Sequence, residues 1–162
     1  MDRITPSEYF NRYAMRAFED FKKNSTDDYL GRTACMWAFH MHEVFFEEGS
    51  EKLKRQLGGS KGEYKKRVLN LVESFAVVET VCSVSKHVNT QHERTPASAE
   101  NVQSQIDHIL LEDGGKLLLE NGGAVLLESS GTYLTVGDEK VNLIGALESV
   151  IAYWQQQLEW ER

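Results

Sequence analysis

From Ile109 to Lys140 the chain repeats every eight residues, as ILLEDGGK, LLLENGGA, VLLESSGT and YLTVGDEK. Each block opens on apolar residues and closes on residues that reverse a chain. An even period returns equivalent side chains to the same face of a strand. The pattern predicts a small antiparallel meander of three to four strands and marks where the chain stops being helical. Asn121-Gly122 suits a type I′ turn, whose two central residues need positive φ. With the turn there, Leu119 faces Ala124, Leu118 faces Val125 and Leu117 faces Leu126. Both faces of the hairpin are then apolar, whereas a sheet with one wet side alternates apolar with polar residues. Leaving three or four leucine-sized side chains in water forgoes about 1.5–3 kcal/mol each. That sum rivals the whole stability margin of a domain. Each face therefore needs a cover. A C-terminal amphipathic helix is one candidate. It starts near Asn142 and carries Leu143, Leu147, Val150, Ile151, Trp154 and Leu158 on one side. The other cover is the helical part of the chain or a second copy of it, because two-fold symmetry lets one patch cover itself.

The chain before the repeats reads as helix. Thr5-Pro6-Ser7-Glu8 combines a capping threonine, a proline at the first helical position and a glutamate able to close a capping box. Tyr9, Phe10, Tyr13, Ala14, Ala17, Phe18 and Phe21 follow as a stripe at three- and four-residue spacing. After a polar break, Ser25 or Thr26 can cap a second helix from about Asp27 to Glu48, ended by Gly49. It is apolar on much of its circumference, as expected at the centre of a bundle. Ser50 to Leu57 suggests a short helix closed by Gly58-Gly59. Ser60-Lys61-Gly62-Glu63 is another capping box, and the helical pattern then runs to about Thr90 with a kink near Glu73. His92 to Gln105 is polar, contains Pro96 and has no period, so it reads as a connection. The fold class expected is α+β. Residues 1–92 form a bundle of four to five helices, 93–104 a linker, and 105–162 the meander with the C-terminal helix.

Charge narrows the partners. The 162 residues carry a net charge of −7, which disfavours a general nucleic-acid surface, since such surfaces displace counterions with clustered cations. Lys52, Lys54, Arg55, Lys61, Lys65, Lys66 and Arg67 do cluster in sequence, as a solvated helix face would. No apolar run approaches the roughly 18 residues needed to span a bilayer, and MDRITPSEYF lacks a secretory apolar core. A cytoplasmic, membrane-free protein is expected. Cys35 and Cys82 read as small buried hydrophobes of a reducing compartment.

Motifs of chemistry are sparse. The sequence has no Gly-x-Ser-x-Gly elbow, and the glycines near Gly114 and Gly122 lack the Lys-Ser/Thr ending of a phosphate loop. No cofactor is implied. The histidines are His40, His42, His87, His92 and His108. His40 and His42 lie about 200° apart around a helix and cannot share a ligand. His40, Glu43 and Glu47 lie along one edge, and with His87 or His92 they define one alternative, a metal-binding bundle.

Trp37-Ala38-Phe39-His40 and Ser85-Lys86-His87 resemble the helical part of uncharacterised bacterial proteins akin to the HEPN superfamily, over residues 5–93. That resemblance implies an all-helical N-terminal unit and a ribonuclease or toxin activity, with His40, Lys86 and His87 as acid/base and phosphate-binding residues. HEPN ribonucleases use an Arg followed four to six residues later by His. Here seven residues separate Arg32 from His40, and no other pair fits. The leucine-rich, glycine-punctuated blocks are similar to stretches of predicted phage structural proteins. The leading expectation is a non-enzymatic interaction or assembly protein that forms a homodimer through its meander. The HEPN-like ribonuclease is the alternative.

Overall fold

The computed structural model describes residues 3–52, 54, 59–86, 89–90, 97–98, 102–105, 130–136 and 138–161. The protein is α+β, with N-terminal helices followed by an antiparallel meander and a C-terminal helix.

Helix α1, residues 6–23, is continuous but changes pitch. Pro6–Tyr9 is α-helical, Phe10–Ala14 is a π-turn, and Met15–Lys23 is α-helical again. Thr5 and Glu8 form the expected capping box. The π-turn shifts the register so that Tyr9, Phe10, Ala14, Phe18 and Phe21 all bury. Tyr13, expected in the same stripe, sits at the rim and stacks on Trp37 at 4.7 Å.

Helix α2, Asp28–Glu48, is capped by Asp27, whose carboxylate accepts the Leu30 N–H at 3.1 Å. Neither Ser25 nor Thr26 caps it; the Thr26 hydroxyl reaches Asn24 instead. Ala34, Cys35, Ala38, Met41 and Phe45 are fully buried along it, which makes α2 the central element. Gly31 permits α1 to approach: a Cβ there would meet two Phe21 ring carbons at 3.1 Å. Of the short helix expected over Ser50–Leu57, the Lys54 N–H donates to the Ser50 carbonyl, and residues 53 and 55–57 lie outside the described set.

Helix α3 is Lys61–Leu71 and helix α4 is Ser74–Lys86. The expected kink is a full break: Val72 is extended (φ −128°, ψ 95°), and Phe75 N–H and Ala76 N–H turn back onto the Val72 and Glu73 carbonyls. Gly59 (φ +59°) leads into the Ser60 cap, where a Cβ would strike the Glu63 carboxylate that closes the box. The helical pattern was expected to reach Thr90. Instead β1, Asn89–Thr90, pairs antiparallel with β2, Ala97–Ser98.

The main sheet has the order β3-β4-β5, from Val102–Gln105, Gly131–Val136 and Glu139–Asn142. Strand β3 falls largely within the stretch read as a linker; four residues of VQSQ are too few to show a period. The last repeat block closes as a hairpin, with Val136 paired to Glu139. Side chains of the sheet divide between two faces. Val102, Thr132 and Leu134 are buried toward the helices, while Gln103, Tyr133 and Lys140 face outward, Lys140 lying 4.1 Å over the Tyr133 ring. The ribbon expected to be apolar on both faces, residues 109–129, lies outside the described residues.

Helix α5, Leu143–Glu161, begins where Asn142 accepts the Ile144 N–H at 2.9 Å. Leu143, Leu147, Val150, Ile151 and Trp154 join the bundle core together with Val102 and Leu134. Trp154 stacks on Phe45 at 5.4 Å, and its indole N–H donates to the Ala38 carbonyl at 2.9 Å. Arg32 donates to the Val102 carbonyl and Thr132 to the Ser25 carbonyl, at 3.0 and 2.9 Å. One core thus runs from bundle to sheet. No described helix is long and apolar enough to cross a membrane.

Candidate functional site

The strongest polar constellation lies where the C-terminal half of α2 meets the start of α3. Residues 40, 43 and 47 share an edge of α2 because three- and four-residue steps return to one face. The Ser60 capping box sets the first turn of α3 beside that edge and delivers Lys61 to it. His40 Nδ1 lies 3.0 Å from the Glu43 carboxylate. Lys61 Nζ lies 3.3 Å from the other Glu43 oxygen and 3.4 Å from Glu47.

Glu43 sits between opposing influences. Partial burial would raise its carboxyl pKa, but hydrogen bonds from His40 and Lys61 outweigh that and hold it below the usual carboxylate value. Lys61 is pushed up in turn, first by its hydrogen bond to Glu43 and then by the charges of Glu43 and Glu47. Chemically the group can orient an imidazole and hold a proton beside a cation. Lys61 bridges the two carboxylates. No three His, Cys, Asp or Glu residues gather as a metal set among the described residues.

Of the residues singled out from the sequence, His40, Glu43 and Glu47 belong to this group, and His40 is the one drawn from the candidate catalytic residues. Lys86 ends α4 with its side chain outside the described residues, and His87, His92 and His108 lie outside them altogether. His42 points the other way, into the core. Its Nδ1–H donates to the Phe39 carbonyl at 2.6 Å, and its ring lies 4.7 Å from Phe39 and 5.9 Å from Phe75. Burial lowers its pKa despite that hydrogen bond.

Within the basic cluster between Lys52 and Arg67, ion pairs join Lys54 to Glu51, Lys61 to Glu43 and Glu47, and Lys65 to Glu79 at 2.7 Å. The role of Lys61 was missed because the sequence shows a lysine at a helix start but not which carboxylates the preceding loop brings it to. Burial raises the Cys35 thiol well above its ordinary value, with Cys82 adding to it, so Cys35 is an inert core residue. Comparison of the chain with protein-family models, curated proteins and solved structures returns no match.

Proposed function

We propose that the protein is a non-enzymatic interaction and assembly module that forms a homodimer through its meander. The observation that carries this reading is the register of β3 on β4. Gln105 pairs with Gly131, so the repeat ribbon leaves and re-enters the sheet at one place. The apolar side of that sheet is already sealed against the helices by Val102, Thr132 and Leu134. A ribbon that its sequence makes apolar on both faces then finds its second cover in another chain. Leu117→Glu and Leu118→Glu each place a charge on one expected face. The expected result is a wild-type dimer by light scattering and a monomer, with unchanged helical circular dichroism, for the variant whose face meets the partner. A monomeric wild type, or two charged variants that remain dimers, would overturn the reading.

A second reading is favoured by the His40–Glu43 contact. A carboxylate that fixes an imidazole beside a lysine is a geometry general bases use. On that reading the protein is a HEPN-like ribonuclease, with Lys86 and His87 on the phosphate. Cleavage of a mixed RNA substrate that is lost in His40→Ala is the outcome it requires. RNA left intact by the wild type removes it.

A further inference from the structure

We propose that His42 is an acid-sensitive latch on the seam between α2 and α4: taking up a proton drives its ring from the Phe39–Phe75 slot and lets the two helices part. The geometry supplies the reason. His42 is 2% exposed, wedged beside two phenyl rings, and Phe75 in turn meets Trp154 at 5.9 Å. The seam, the slot and the inner end of α5 are therefore one packed unit.

A neutral imidazole suits that slot, because one N–H satisfies the Phe39 carbonyl and the rest of the ring is apolar surface. An imidazolium does not, since its charge would be taken from water into a ring-lined interior. The surroundings compensate poorly. On α2, Glu43 favours the cation, but its carboxylate is engaged by His40 and Lys61. His40 on α2 and Lys65 on α3 oppose it, and Glu79 of α4 is paired to Lys65.

The sign follows from linkage. A histidine held below its ordinary pKa binds fewer protons folded than unfolded. Its stabilisation is full above about pH 6.5 and is lost as the pH falls toward the folded-state value. The opened seam would expose Phe39 and Phe75, turning acidification into a new apolar surface.

The test is urea unfolding of the full chain from pH 8 to 5.5, with hydrogen exchange across α2 and α4. For the wild type, the folding equilibrium constant should fall below about pH 6.5 by up to tenfold per pH unit, the one-proton limit. Protection of α2 and α4 amides should fall in parallel. His42→Phe, which fills the slot without a titrating nitrogen, should flatten that limb. An unchanged slope in His42→Phe would overturn the proposal. Should that variant not fold, NMR titration of the wild-type imidazole decides. The His42 ring must stay neutral until α2 and α4 lose protection, and an imidazolium signal in a protected bundle sinks the latch.

Discussion

Single side chains carry much of this fold's specificity. Trp154 fills the space between Phe45 and Phe75 and ties α5 to the middle of α2 through one hydrogen bond. Trp154→Ala should cost about 3–5 kcal/mol in urea unfolding, the range for removing a large buried aromatic. A loss under 1 kcal/mol would mean that α5 is only loosely docked. Glu43 makes a separate statement in acid. Its carboxyl is held low in the folded state, so its contribution is present above about pH 4.5 and lost as the pH falls through the folded value. Glu43→Gln should therefore flatten the stability profile below about pH 4.5 and keep the loss of stability below about pH 6.5 that His42 causes, since the Glu43 charge favours the His42 cation and so only opposes that loss. His40 could be singled out from the sequence because helical spacing alone aligns it with Glu43 and Glu47. Lys61 could not be placed there, and neither could the inward turn of His42, because both depend on how helices pack.

Elements follow local chemistry where that chemistry is strong. The boxes at Thr5 and Ser60 form as read, because a hydroxyl and a glutamate three residues apart satisfy two orphan N–H groups without tertiary help. The start of α2 went to Asp27 over Ser25 and Thr26, three capping residues in near succession that only the chain path from α1 can rank. The π-turn at Phe10–Ala14 has no sequence mark; it arises where packing on α2 outweighs regular pitch. Gly31 offers an element-level test. It lies in a helix, where alanine is intrinsically better by about 1 kcal/mol, yet Phe21 leaves no room for a larger side chain. Gly31→Leu should destabilise by about 1–3 kcal/mol or more through overpacking, read as a lower urea midpoint. A midpoint equal to wild type would show that α1 can slide.

The whole molecule is held by its last helix. Leu143, Leu147, Val150, Ile151 and Trp154 enter the same core as α1, α2 and α4, so a chain ending at Asn142 should lose cooperative unfolding by circular dichroism. A cooperative transition in that truncation would make the N-terminal helices self-sufficient. The order of helices, then strands, then helix was readable because three- and four-residue apolar spacing gives way to eight-residue blocks punctuated by turn residues and then returns. Strand β3 was not readable, since its four residues become a strand only by pairing with β4. Exposed apolar side chains remain on the helices among the described residues, Leu71 at 65% and Trp160 at 57%, and exposed apolar side chains are ordinary on a protein surface. In sequence, the ribbon of residues 109–129 gathers nine leucine, isoleucine and valine side chains. Sedimentation equilibrium of the wild-type chain across micromolar concentrations bears on this most directly. The expected mass is twice the 18.5 kDa of one chain; a single-chain mass at every concentration would contradict assembly through the meander.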